Sequence, residues 1–89
     1  MNTPPFTASA GRARTLFAVD DELDDRLIFT RLVQQAGLPH PCLTFTSGDE
    51  MIDALLGVLR GDTPPLACFI DVKMGGMSGF DVLRWIRCQ

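Results

Sequence analysis

The chain has 89 residues, 46% of them apolar and 21% charged, which is enough for one small globular domain. Eight basic against eleven acidic residues give a net charge of −3, and this balance argues against a nucleic-acid surface, which needs a basic stripe. Its short apolar runs exclude a membrane span, and its three scattered cysteines fit no disulfide framework, so we expect a cytoplasmic protein.

The amino-terminal segment, residues 1–14, is rich in Pro, Thr, Ala and Ser and shows no periodicity. We predict that it forms a disordered lead-in to one partial domain, residues 15–89. The apolar run Thr15–Val19 ends in acids and is typical of a strand buried on both faces of a parallel sheet.

A helix is predicted over Asp24–Ala36, with acids in its positive first turn and Gly37 placed to end it. Apolar residues recur in this segment in i, i+4 rows, which predicts one apolar stripe facing the sheet. The stripe consists of Leu27, Ile28, Leu32 and Ala36, with Phe29 and Val33 beside them.

The rest of the chain repeats the alternation of short apolar runs and amphipathic segments. We predict a strand at Cys42–Thr46, a helix from Ser47 or Gly48 to about Arg60, a strand at Leu66–Ile70 and a helix that Ser78 caps. Strands that alternate with helices indicate an α/β fold with a parallel sheet and right-handed crossovers. The predicted inner faces of these two helices are Met51, Ile52, Leu55, Leu56 and Leu59 in the first, and Phe80, Val82, Leu83 and Ile86 in the second.

Carboxylates follow two of the three predicted strands. Asp20 and Asp21 come after the first strand and Asp71 after the third. If these strands are neighbours, their acids converge at the carboxyl edge of the sheet, where a divalent cation such as Mg²⁺ would offset the repulsion. An aspartate after a strand also commonly caps the next helix or solvates a loop, so each acid alone leaves that interpretation open.

Three segments, in order, resemble the receiver domains of response regulators: AVDDE (Ala18–Glu22), TSGDEMIDAL (Thr46–Leu55) and IDVKMGGMSGFDVLRWIR (Ile70–Arg87). Within this chemotaxis-regulator-like family, the chain looks most similar to stand-alone receivers paired with phytochrome-type histidine kinases. The resemblance implies a flavodoxin-like, doubly wound parallel sheet that is incomplete, with three βα units in the strand order 2-1-3.

The resemblance also implies a site and a partner. Asp71 would accept a phosphoryl group, and Mg²⁺ would be held by Asp20, Asp21, Asp71 and the backbone carbonyl of Lys73. The phosphodonor would be a sensor histidine kinase or a phosphotransfer protein of a two-component phosphorelay. Such a protein is not an enzyme beyond self-catalysed phosphoryl transfer and autodephosphorylation.

Two departures from the family pattern stand out. Gly75 lies where the family usually has proline, which predicts a looser acceptor loop. The sequence also ends after the third helix, before the Ser or Thr and the Lys with which the family contacts the phosphoryl group. We therefore expect a truncated receiver whose third strand, Leu66–Ile70, is an exposed apolar edge through which the chain self-associates.

Two other functions compete with phosphorelay signalling. In the first, the chain is a truncated or degenerate receiver that acts only as a protein-interaction surface, or it is a non-functional fragment. A Mg²⁺-dependent phosphohydrolase would call for a second aspartate two residues after the nucleophile, where Lys73 stands instead.

Overall fold

The computed structural model describes residues 14–89, which form three βα units. The predicted disordered lead-in therefore lies outside the described residues except for Arg14, whose guanidinium donates to the carbonyls of Pro64 and Pro65. In the part of the chain that the structure describes, no helix is long and apolar enough to span a membrane. The elements are β1 (Leu16–Val19), α1 (Leu23–Gln35), β2 (Cys42–Phe45), α2 (Gly48–Leu59), β3 (Ala67–Ile70) and α3 (Gly79–Arg87).

The three strands form one parallel sheet in the order β2-β1-β3, so the predicted fold class and strand order are confirmed. Leu16 at the start of β1 lies opposite Cys42 of β2 and Ala67 of β3. All four β1 residues are buried, because a parallel central strand has neighbours on both edges and helices on both faces.

One face of the sheet carries α2 and α3 and forms the core. Phe17 and Phe45 meet edge to face with ring centroids 5.2 Å apart, and Val19 lies beside them. Met51 of α2 and Val82 of α3 close over these side chains and are completely buried. This face therefore holds most of the apolar burial that stabilises the fold.

The other face carries α1 alone. Phe29 of α1 packs on Phe69 of β3, with ring centroids 4.8 Å apart, and Val33 is buried against the sheet. The prediction that the α1 stripe faces the sheet is wrong. The helix contacts the sheet through Phe29 and Val33, and its i, i+4 row faces outward. The exposed side chains of that row are Leu27, Ile28, Leu32 and Ala36.

Three other predicted inward residues are also exposed. Leu59 lies in the last turn of α2, beyond the sheet, and Phe80 and Leu83 lie on the side of α3 that faces away from α2. Among residues 14–89 no element covers that side, and both side chains stay in contact with solvent. The inward prediction is confirmed for Met51 and Val82.

The helix ends follow the local signals. Ser47 and Ser78 cap α2 and α3, each accepting a hydrogen bond from the backbone N–H three residues on. Gly37, just beyond α1, has φ +71°, the left-handed conformation that glycine adopts without strain. Glu22 precedes α1 and forms no side-chain cap.

Candidate functional site

Three carboxylates meet at the carboxyl edge of the sheet. One carboxylate oxygen from each of Asp20, Asp21 and Asp71 lies within 4.8 Å of the others. Adjacent strands β1 and β3 end at the same edge, and this brings together residues 50 positions apart in the sequence. Asp20 and Asp71 are half-buried and Asp21 is exposed, so the cluster is open to ions and to an approaching partner.

The backbone at both strand ends is fixed by the sheet ladder. The N–H of Asp20 donates to Phe45 of β2 at 3.1 Å, and the N–H of Asp71 donates to Val19 of β1 at 3.1 Å. The carboxylates of Asp20 and Asp71 each contact the backbone N–H of the residue two positions further along the chain. Asp20 accepts from Glu22 at 2.9 Å, and Asp71 has a longer contact of 3.4 Å with the N–H of Lys73.

Asp21 is held by the loop that follows β3. Its Oδ2 accepts a hydrogen bond of 3.0 Å from the backbone N–H of Gly75. The contact joins the loop after β1 to the loop after β3 and fixes the most exposed member of the cluster. Proline has no N–H and could not donate this bond, so Gly75 gives the loop a contact that the sequence departure did not reveal.

Gly79 lets α3 start directly against the acceptor strand. A Cβ at this position would collide with the backbone carbonyl oxygen of Asp71 and lie 2.8 Å from the Cα of Val72. The N–H of Gly79 donates to Val72 at 3.1 Å, which closes the loop into a tight return. Only glycine fits at this close approach between the start of α3 and the end of the acceptor strand.

Arg26 contributes a cation beside the acids that the sequence reasoning missed. Its Nη1 donates to the backbone carbonyl of Asp20 at 2.7 Å, which ties the first full turn of α1 to the end of β1. Arg26, Phe29 and Phe69 line an open cavity of about 290 Å³, and Asp20 and Asp71 contribute to the same lining. An arginine at the fourth position of a helix is usually a solvated surface residue, so only the spatial arrangement identifies it.

The Lys73 side chain is exposed. Its backbone lies two residues beyond Asp71, on the same loop that carries Gly75. The structure therefore brings all four predicted site residues to one edge of the sheet. Whether the Lys73 carbonyl ligates a metal stays a prediction.

Known proteins resemble this chain in sequence. Sensory/regulatory protein RpfC of Xanthomonas campestris is 28% identical over 85 residues, covering 93% of this chain and 11% of that protein. DNA-binding transcriptional regulator NtrC of Klebsiella pneumoniae is 36% identical over 69 residues, covering 78% of this chain and 13% of that protein. The chain thus corresponds to a small part of each of these relatives. No protein-family model matches it.

Solved structures resemble it in fold. The bacteriophytochrome response regulator AtBRR superimposes with a TM-score of 0.78 at 20% identity, covering 88% of this chain and 59% of that one. The N-terminal domain of a response regulator receiver protein from Methanoculleus marisnigri has a TM-score of 0.69 at 28% identity, covering 83% and 55%. With its 2-1-3 parallel sheet, the chain has the fold of the receiver domains of response regulators and resembles them in sequence. It spans somewhat more than half of these solved receivers.

Proposed function

We propose that the chain is a phosphoacceptor module of a two-component signalling system, phosphorylated on Asp71. The observation that carries this proposal is the convergence of Asp20, Asp21 and Asp71, whose oxygens lie within 4.8 Å of one another. Three carboxylates this close repel one another, and a bound divalent cation relieves that repulsion. The arrangement favours a metal-assisted acceptor over three unrelated capping aspartates.

The donor set suits Mg²⁺. Carboxylate oxygens are the ligands this ion prefers, and it commonly takes one or two carboxylates while keeping several waters. Asp20, Asp21, Asp71 and the backbone carbonyl of Lys73 would hold it, at a position open enough for those waters. When bound, the ion supplies positive charge that offsets both the carboxylates and an incoming phosphoryl group.

The chain's own residues place the nucleophile. A carboxylate oxygen of Asp71 forms the new bond to phosphorus while the bond between phosphorus and the donor breaks, and the electron pair leaves with the donor. Asp71 is half-buried, with its N–H held by β1 and its carbonyl packed against Gly79, so the carboxylate is oriented before the donor arrives. Gly75 holds Asp21 in position on the opposite side.

The partner that fits this chemistry is a phosphohistidine donor, carried by a sensor histidine kinase or a phosphotransfer protein. Its phosphoryl group must reach Asp71 from solvent, and the acidic edge of the sheet is open on that side. We assign the chain a signalling role in which the only chemistry is transfer to Asp71 and later hydrolysis.

The test is intact-mass spectrometry of the chain after incubation with Mg²⁺ and a small acyl phosphate. We expect one phosphoryl adduct that disappears in excess chelator and in Asp71→Asn, since the nucleophile or its counter-ion is then lost. Asp53→Asn, at an exposed acid on α2, is the matched control and should leave the adduct unchanged.

Two outcomes would count against the proposal. An adduct that persists in Asp71→Asn would place the modification elsewhere. A wild-type chain that is folded by circular dichroism but forms no adduct would leave an interaction surface as the better-supported function, since the apolar edge of β3 is present either way.

A further inference from the structure

A single hydrogen bond joins the two loops at the carboxyl edge of the sheet. The backbone N–H of Gly75 donates to Asp21 Oδ2 at 3.0 Å, across 54 positions of the sequence. The first of these loops runs from β1 to α1 and the second from β3 to α3. The bond is therefore formed entirely by elements that the structure describes.

The bond engages one oxygen of a carboxylate that belongs to the acidic cluster. Asp21 is the exposed member of that cluster, and an exposed side chain otherwise samples several rotamers. The N–H of Gly75 restricts this freedom and occupies Oδ2. A cation at the cluster can take Asp21 through one oxygen without breaking the bond, whereas binding through both oxygens competes with Gly75 for Oδ2.

We propose that Gly75 is a specificity-determining residue, through which the acidic cluster selects Mg²⁺ over Ca²⁺. The inference rests on the proposed function, because it concerns the cation of that same site. Ca²⁺ takes about six to eight oxygens and commonly binds a carboxylate through both of its oxygens. Mg²⁺ is smaller, takes one or two carboxylates and keeps several waters. A carboxylate with one oxygen already held suits Mg²⁺ better, because binding through both oxygens loses the hydrogen bond to Gly75.

The surroundings of Gly75 allow the N–H to be tested separately from the side chain. A Cβ at this position would lie 3.7 Å from Asp21 Oδ2, an ordinary contact, and Gly75 does not share the left-handed conformation of Gly76. Gly75→Ala therefore keeps both the backbone and the N–H. Gly75→Pro removes the N–H and introduces the residue that receivers usually have at this position.

The test is a titration of the isotope-labelled 89-residue chain with MgCl₂ and, separately, with CaCl₂, followed by the NMR shifts of its amides. We expect the wild type to bind Mg²⁺ more tightly than Ca²⁺, and Gly75→Ala to keep that preference. In Gly75→Pro the ratio of the Ca²⁺ to the Mg²⁺ dissociation constant should fall about three- to tenfold, the net contribution of one hydrogen bond. A loop that proline merely distorted would weaken both ions alike.

The wild type gives a second readout, which does not require Gly75→Pro to fold. The amide proton of Gly75 should keep the small temperature coefficient of a hydrogen-bonded N–H in excess Mg²⁺ and lose it in excess Ca²⁺. This measurement follows the donor of the bond directly, so it separates a broken hydrogen bond from a general change in the loop.

Three results would overturn this inference and leave the proposed function intact: an unchanged ratio in Gly75→Pro, an equal fall of the ratio in Gly75→Ala, or a Gly75 amide that responds alike to both ions. A folded wild type that binds neither ion would overturn the inference together with the metal site. Binding is measured without phosphodonor, so a failure of phosphorylation alone is a separate outcome.

Discussion

The two faces of the sheet are covered unequally. On one face α2 and α3 bury Met51 and Val82 completely against β1 and β2. On the other, α1 contacts the sheet mainly through Phe29 and Val33 and exposes a row of large apolar side chains. The acidic cluster lies at the edge between the two faces, so its geometry depends on both the well-packed side and the thinly packed one.

The helix starts differ in the same way. On the core face, α2 and α3 begin after capping serines. The carboxylate of the third residue in each helix accepts a hydrogen bond from a backbone N–H just before the helix, Glu50 from Thr46 and Asp81 from Ser78. On the other face α1 begins after Glu22 with no side-chain cap. Burial and capping therefore both favour the face that carries α2 and α3, and α1 is expected to be the first helix to loosen.

The largest effect should come from the buried methionine. Met51→Ala removes a fully buried side chain and should lower the free energy of unfolding by about 2–5 kcal/mol. Ile28→Ala, at a position 57% exposed on α1, should change it by less than about 0.5 kcal/mol. Urea denaturation followed by the fluorescence of Trp85 measures both. Equal effects would mean that the two faces are packed alike.

An intermediate effect is expected in acid. Hydrogen bonds from Thr46 lower the pKa of Glu50 below 4.5, and hydrogen bonds from Ser78 lower the pKa of Asp81 below 3.8. A lowered pKa in the folded state contributes stability above the ordinary pKa, and that stability is lost as the pH falls through the lowered value. Unfolding free energies measured from neutral pH to about 3 should therefore fall below about pH 4.5.

The assignment of this acid loss to the helix caps can be checked with Glu50→Gln. Glutamine accepts the same hydrogen bonds and does not titrate, so the variant should show a shallower acid slope. Asp49→Asn, at the neighbouring exposed acid of α2, is the comparison variant. An unchanged slope in Glu50→Gln would show that the loss arises elsewhere.

The smallest effect should be a gain on the thinly packed face. Glu22→Asp keeps the charge but shortens the side chain to one that can cap α1, and it should raise the free energy of unfolding by about 0.5–1 kcal/mol. The urea midpoint measures the gain, with Glu22→Ala as the uncapped reference. If aspartate and alanine gave the same midpoint, the start of α1 would not limit stability.

Much of the fold could be predicted from local signals. Short apolar runs identified all three strands, two of which are followed by acids, and serines before amphipathic segments located the starts of two helices. The burial of individual side chains was predicted less well, because periodicity shows that Leu27, Ile28 and Leu32 share a helix face but not that another element covers it. Exposure depends on neighbours that local patterning does not encode.

In the candidate site too, some features could be predicted from the sequence and others could not. Carboxylates at strand ends predicted the grouping of Asp20, Asp21 and Asp71, because strand order determines which ends meet. The contacts of Gly75 and Arg26 could not be predicted, since each joins a side chain to a backbone atom through loop geometry. From Gly75 the sequence predicted only a looser acceptor loop, whereas the backbone N–H of Gly75 donates a hydrogen bond to the Asp21 carboxylate.

The central position of β1 has a consequence for the order in which the chain assembles. β1 leaves the ribosome first, yet it pairs with β2 and then with β3, and the second pairing closes a sequence loop about twice as long as the first. The shorter β1–β2 closure costs less entropy and is available earlier in synthesis, so we expect it to precede the docking of β3. Because Asp71 follows β3, the acidic cluster is completed by this last and slowest contact.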